Sequence, residues 1–212
     1  LQIRYAQEAR MYAMWSFLSL LSLYLFWKAV RCQEARWWAL FAIVTTLALY
    51  THLFALLSLG VMVLFALWLL VRPQTRRQFP FRSRHFIVSV AAILLAYAPM
   101  IPFLIEGLVS KEGLGAEVAS SWSLGELLLA LRMFSGGDDV GSVAYVLLLI
   151  VAAVVLAVRD HQALALATMW IALPLIIVLG LPFGHKLLIR YFLFALPVYL
   201  LLVAYGLRVV TG

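Results

Sequence analysis

The sequence predicts an all-α protein: a polytopic transmembrane helix bundle of about seven spans with one short interfacial helix. Hydrophobic residues make up 66% of the 212 positions and charged residues only 12%, whereas soluble domains average about 45–50% and about 25%. The apolar runs are separated by charged breaks and approach the roughly 20 residues that a membrane helix needs. They lack the alternating pattern of a membrane barrel. This composition excludes a water-soluble domain, a disordered chain and a nucleic-acid-binding module.

Four spans are predicted in the first half of the chain. The first covers 11–27 and is followed by basic residues. The charge-free run at 37–71 is too long for one span, and its polar break at 50–52 predicts two short spans joined by a tight hairpin. A basic loop then leads to the fourth span, at 86–105.

Three further spans are predicted in the second half, after a polar segment at 106–141. They cover 142–158, 163–181 and 191–207, and a short loop at 182–190 joins the last two. The whole chain is therefore interpreted as one transmembrane domain, 1–212, with a single long loop.

A short helix is predicted inside the long loop. Ser123 is a candidate N-cap that forms a capping box with Glu126, and Trp122 and Leu127 form a hydrophobic staple. The apolar stretch that follows, up to Phe134, is too short to span a membrane. It is interpreted as an interfacial helix, or else as a helix packed on the bundle with no part in a site.

The distribution of basic residues predicts the orientation. Alternating spans place ten of the 16 basic residues on one side, which the positive-inside rule assigns to the cytoplasm. These ten are Lys28, Arg31, Arg36, Arg72, Arg76, Arg77, Arg82, Arg84, Arg159 and Arg208. We therefore expect a multi-pass protein of the plasma (inner) membrane with 1–10, 51–53, 106–141 and 182–190 on the outer face.

Charged groups at the rim of a membrane bundle are costly, and they are therefore functional candidates. At the N-terminus, Tyr5, Glu8 and Tyr12 share one helix face, with Arg10 beside it. A Glu and an Arg leading directly into a span suit a site that holds and orients an anion. The alternative is an interfacial anchor, with Tyr in the aromatic belt and Arg reaching for the headgroups.

Two further groups lie on the predicted outer face. His52, in the hairpin, either donates to a phosphate or transfers protons, or simply caps the hairpin through a backbone bond. Lys186, Arg190 and Tyr191 crowd the last outer loop, where cations pair with a lipid phosphate or merely anchor the seventh span.

The sequence predicts neither a metal site nor a cofactor. Asp138 and Asp139 could bind a divalent ion or act as a general base, but they follow two glycines in what is more simply a flexible turn. Cys32 is the only cysteine, so an intrachain disulfide is excluded.

Three motifs in order resemble bacterial relatives of the dolichyl-phosphate-mannose protein mannosyltransferases and of the aminoarabinose transferases, which are membrane glycosyltransferases of the GT-C fold. The motifs are Glu8-Ala9-Arg10-Met11-Tyr12-Ala13, Leu47-Ala48-Leu49-Tyr50-Thr51-His52, and Arg190-Tyr191-Phe192-Leu193-Phe194-Ala195-Leu196-Pro197 followed by Ala204-Tyr205-Gly206-Leu207. Order and spacing agree over nearly the whole chain.

The resemblance implies transfer of a sugar from a polyprenyl-phosphate carrier to an acceptor on the outer face. It makes Glu8, Arg10, Tyr12, His52, Arg190 and Tyr191 candidates for the substrate pocket, and Lys186 is added on charge alone. The expected partners are the polyprenyl-phosphate-sugar lipid and membrane lipids.

The chain departs from the family at one point. The family's catalytic acid lies in the first outer loop, a region that would precede Leu1, so the catalytic residue is unknown here. The chain opens without Met, and we expect it to be the middle and C-terminal part of such an enzyme, inactive when isolated. The alternatives are a lipid or small-solute transporter or flippase, and a non-catalytic membrane subunit.

Overall fold

The computed structural model describes residues 2–71, 83–109, 132, 134–135, 137, 139–180 and 195–212. Helices account for every regular element in these ranges, and this confirms the all-α prediction for the part of the chain described. The α-helices are α1 (Gln2–Cys32), α2 (Ala35–Thr51), α3 (Ala55–Val71), α4 (Ser83–Tyr97), α5 (Ile101–Val109), α6 (Asp139–Arg159), α7 (His161–Gly180) and α8 (Leu196–Thr211). Two compact units, Leu1–Ala116 and Glu117–Gly212, contain them.

Three helical segments of the described chain are long and apolar enough to cross a membrane: Tyr12–Cys32, Arg84–Phe103 and Asp139–Arg159. Shorter apolar helices lie at Ala35–Thr51, Ala55–Val71, His161–Ile177 and Leu196–Thr211. These helices are compatible with a membrane-embedded protein. The number of spans and their orientation stay predictions.

The first unit is built around α2, which packs against α1, α3 and α4. Its centre is the fully buried ring of Phe26. That ring lies 5.6 Å from Phe41, 6.1 Å from both Phe65 and Phe86, and 6.2 Å from Trp38, measured between ring centroids. These mostly tilted and edge-on contacts are the geometry that aromatic quadrupoles favour, and they join all four helices.

Helix α1 continues to Cys32, beyond the predicted end of the first span. The Lys28 ammonium lies over the Trp37 ring, 3.9 Å from the centroid, and Arg31 in the last turn suits the negative end of the helix dipole. Only two residues separate α1 from α2. The first of them, Gln33, has a positive φ of 55°, which reverses the chain within this short connection.

Prolines interrupt the helical segment that corresponds to the fourth predicted span. A 3₁₀ turn, Ala98–Met100, separates α4 from α5, and it contains Pro99, which has no N–H to donate. Helix α5 then runs to Val109, past the residue at which the polar segment 106–141 was predicted to begin.

In the second unit, α6 packs against α7 and α8. Asp160 alone links α6 to α7, and its Oδ1 accepts the N–H of Ala163 at 3.0 Å, so α7 begins at His161, earlier than predicted. Helix α8 crosses α6 where Gly206 lies against the backbone of Leu148. A Cβ atom on Gly206 would overlap the Leu148 carbonyl. Small residues at membrane helix crossings permit this close approach.

The described part of the predicted interfacial helix is its end. Arg132 and Phe134 are helical, and Ser135 lies in a turn, which agrees with the predicted end of that helix. The buried Ser135 hydroxyl is hydrogen-bonded to the Tyr199 hydroxyl of α8 at 2.9 Å. The predicted N-cap and capping box lie outside the described residues.

Candidate functional site

Tyr12 and His52, two of the predicted pocket residues, lie next to each other. Their ring centroids are 5.4 Å apart, although one belongs to α1 and the other to the α2–α3 turn. The contact arises because α1 and α2 form an antiparallel pair, so the part of α1 around Tyr12 lies beside the end of α2. Tyr12 and His52 are both half-buried, at one end of the first unit.

Aromatic side chains enclose the His52 imidazole on more than one side. Trp15 stacks on it, with a centroid distance of 4.6 Å and an interplanar angle of 17°. Phe54 contacts both rings, at 5.4 Å from His52 and 6.4 Å from Trp15. We call Tyr12, Trp15, His52 and Phe54 the His52 cluster.

The backbone of the turn fixes the position of His52. Its N–H donates to the carbonyl of Ala48 at 3.0 Å and closes the last turn of α2, and its own carbonyl accepts the N–H of Ala55 at the start of α3. The hairpin is therefore centred on 52–54 and not on 50–52. Thr51 stays helical because its hydroxyl donates to the Leu47 carbonyl.

The imidazole itself takes part in the turn. The backbone N–H of Phe54 donates to His52 Nδ1 at 3.2 Å. This is the capping role that the sequence left open for His52. A nitrogen that accepts a hydrogen bond carries no hydrogen, so the neutral ring holds its hydrogen on Nε2.

Burial lowers the pKa of His52 below the ordinary imidazole value, because the charged form loses hydration. The Phe54 N–H acts in the same direction, since it cannot donate to a protonated Nδ1. His52 is therefore a neutral, positioned side chain at neutral pH. It is not a fixed cation.

The remaining predicted residues are not brought into a described site. Glu8 and Arg10 lie in α1, four and two residues before Tyr12, but their side chains are outside the described part of the chain. Lys186, Arg190 and Tyr191 also lie outside the described residues. Their part in a pocket stays a prediction.

Trp15 was not predicted from the sequence, although it is fully buried and its ring lies nearer to His52 than those of Tyr12 and Phe54. The signal was present: Tyr5, Glu8 and Tyr12 were placed on one helix face, and Trp15 continues that face by three residues. Phe54 was missed because the hairpin was placed two residues too early.

Metal ligands do not cluster in the part of the chain described. No group of three or more His, Cys, Asp or Glu residues there is arranged to hold a metal ion. The His52 cluster itself offers one imidazole among aromatic rings, a set that suits orientation and stacking.

Comparison of the chain with protein families, curated proteins and solved structures gives no match.

Proposed function

We propose that the chain is part of a membrane glycosyltransferase that moves a sugar from a polyprenyl-phosphate carrier to an acceptor on the outer face. The observation that supports this most directly is the contact between Tyr12 and His52. The resemblance assigns both residues to one substrate pocket, and they come from separate motifs that are far apart in sequence.

The chemistry of such a transfer demands cations near the lipid phosphate. As the bond to the sugar breaks, the leaving phosphate gains negative charge, and positioned cations stabilise that charge. Arg10, Lys186 and Arg190 supply this charge in our proposal, and an Arg can bind a phosphate through two hydrogen bonds.

His52 has a different role in this scheme. Because it is neutral and held by the Phe54 amide, it orients the pocket and does not neutralise the phosphate. Glu8, Tyr12 and Tyr191 complete the pocket on the acceptor or sugar side. The polyprenyl tail lies along the apolar helix surfaces, which expose large side chains such as Phe17 and Leu95.

Lipid binding tests this assignment. The protein as its gene encodes it is reconstituted in nanodiscs and titrated with polyprenyl phosphate, with the uncharged polyprenol as the comparison ligand. We expect Arg10→Ala and Arg190→Ala each to weaken polyprenyl phosphate binding by about 10–100-fold, the range for loss of a charged hydrogen bond. Binding of polyprenol stays unchanged, because it has no phosphate.

Arg36→Ala is the matched control, since Arg36 belongs to the predicted cytoplasmic set and forms an ion pair with Glu34. It should leave the binding of both lipids unchanged. If Arg10→Ala and Arg190→Ala leave both carrier binding and sugar transfer unchanged, the assignment is wrong.

A transporter or flippase of lipid-linked or small solutes is the second candidate. It is favoured by the interruption of the α4–α5 segment at Ala98–Met100, since transporters use broken helices. Reconstitution in vesicles with a fluorescent polyprenyl phosphate distinguishes the two. Movement of the lipid between leaflets without sugar transfer supports the transporter.

A further inference from the structure

The contacts between α1, α2 and α3 define their register. Ser22 of α1 contacts Met62 of α3, which is 40 residues later in the sequence. The ring pairs Trp15–Phe54 and Phe26–Phe65 are separated by almost the same number of residues. Helices α1 and α3 therefore run parallel and in register along several turns.

Helix α2 runs in the opposite direction beside them. Ser22 shares a hydrogen bond of 2.6 Å with Thr45, and Phe26, one turn later on α1, contacts Phe41, one turn earlier on α2. These pairs therefore indicate which residues of α2 and α3 lie beside a given residue of α1.

Ser19 and Ser58 lie at one level in this register. They are separated by the same number of residues in the sequence as Trp15 and Phe54. The α2 residue at this level is the small Ala48. Ser19 is 1% exposed and Ser58 is 3% exposed. Neither hydroxyl has a hydrogen-bond partner among the described residues.

This lack of partners is unusual for helical hydroxyls. Thr46 and Thr51 each donate to the carbonyl four residues earlier in their own helix, the usual solution in apolar surroundings. The Ser19 and Ser58 hydroxyls do not use it. Buried polar groups left without a partner are costly, and ordered water commonly satisfies them.

We propose that a single buried water molecule bridges Ser19 Oγ and Ser58 Oγ and joins α1 to α3. Each hydroxyl can donate and accept, so the pair supplies two of the two to four polar contacts that a buried water requires. The α2 residue at this level, Ala48, is buried and has only a methyl side chain.

The water site continues an internal polar seam. The seam runs from His52 past the Ser19–Ser58 level to the Ser22–Thr45 hydrogen bond, and it ends at the aromatic cluster around Phe26. The bridging water would add a link between α1 and α3 to the link that the Ser22–Thr45 hydrogen bond makes between α1 and α2. This inference is independent of the proposed sugar transfer.

A crystal structure grown from a lipidic mesophase tests the site directly. We expect an ordered water within hydrogen-bonding distance of both oxygen atoms. A direct bond between the two hydroxyls, or back-bonding of both to helix carbonyls with no water between them, would overturn the proposal.

Thermal unfolding in nanodiscs provides a second test, with Ser19→Ala, Ser58→Ala and the double variant. Each single substitution should lower Tm, and the double variant should lose no more than the larger single loss, because one water serves both hydroxyls. Ser19→Ala combined with Ser89→Ala is the control pair. Ser89 bonds to carbonyls of Trp38 and His85, so those losses should add. Additive losses for Ser19 and Ser58 would contradict the shared water.

Discussion

The indole of Trp15 lies face to face with the imidazole of His52, with ring centroids 4.6 Å apart. Trp15 is anchored in α1 and His52 in the α2–α3 turn, so this stack holds the turn against the first helix. The Phe54 amide holds the same imidazole from within the turn. His52 is thus fixed by both a ring stack and a hydrogen bond.

Removal of Trp15 should loosen this end of the unit. Trp15→Ala deletes a fully buried ring, and we expect a loss of about 3–5 kcal/mol in the free energy of unfolding. Trp15→Phe should lose less because it keeps an aromatic face on His52. Denaturant unfolding in micelles measures both, with Phe17→Ala as the control, since Phe17 is 63% exposed. An equal loss for Phe17→Ala would contradict this explanation.

The lowered pKa of His52 predicts a pH dependence of stability. The unfolded chain takes up a proton near the ordinary imidazole pKa of about 6.5, whereas the folded chain does so only at lower pH. The stabilisation is complete above that value and is lost as the pH falls from there toward the lowered pKa.

Measurement of Tm from neutral to mildly acidic pH checks this prediction. His52→Gln should flatten the pH slope, because no imidazole remains to titrate. Leu53→Ala, in the same turn, changes no titratable group and should keep the slope. An unaltered slope in His52→Gln would assign the effect to another residue.

Gly206 should not tolerate even a methyl group. In Gly206→Ala the new Cβ would overlap the Leu148 carbonyl, so α8 must move away from α6 at a cost of about 1–3 kcal/mol. The control is Gly60→Ala, because nothing lies within 4 Å of a Cβ there. Alanine should be neutral or slightly stabilising at that helical position. Thermal unfolding compares the two, and similar losses would show that the close crossing is not the cause.

The Ser135–Tyr199 hydrogen bond predicts that the effects of Tyr199→Phe and Ser135→Ala on stability are coupled. Tyr199→Phe leaves the buried Ser135 hydroxyl without this partner and should cost about 1–3 kcal/mol. Ser135→Ala should cost less in the Tyr199→Phe background than in the native chain, because the hydrogen bond between the two hydroxyls is already lost there. Tyr205→Phe on the same helix is the control and should change little. Additive losses in the double variant would mean that the two hydroxyls do not stabilise the fold through their mutual hydrogen bond.

The proposed orientation can be tested with cysteine labelling. Cys32 is the only cysteine and is exposed at the end of α1, just before α2 begins, and Leu53 is 41% exposed in the turn that follows α2. The 17 residues of α2 span about 25 Å. In whole cells, a membrane-impermeant maleimide should label a Cys32→Ser, Leu53→Cys variant, and it should label Cys32 only after permeabilisation. The reverse pattern would contradict the topology.

In the part of the chain that the structure describes, the sequence was sufficient to predict the helices and the short connections that follow α1, α2 and α6. The hairpin in the run 37–71 was predicted from its polar break, and it was displaced by two residues because Thr51 satisfies its hydroxyl within α2. Helix ends were less predictable. The first span was predicted to cover 11–27, whereas the helix that contains it continues to Cys32.

The internal details of the site depend on helix register, which a single sequence does not give. Tyr12 and His52 were nominated separately, and only the packing of α1 and α2 shows that they meet. The Ser19–Ser58 level and the Gly206–Leu148 crossing were not predicted for the same reason. Serine and glycine are common in apolar helices, and their structural role depends on which residues of the neighbouring helix they contact.

The two short connections of the first unit constrain its mechanics. Two residues join α1 to α2, and three join α2 to α3. Three extended residues reach only about 10 Å, so there is no spare chain for one helix to slide by a full turn, about 5.4 Å, along each of its neighbours. The two connections therefore limit the relative motion of the three helices to small changes of helix tilt.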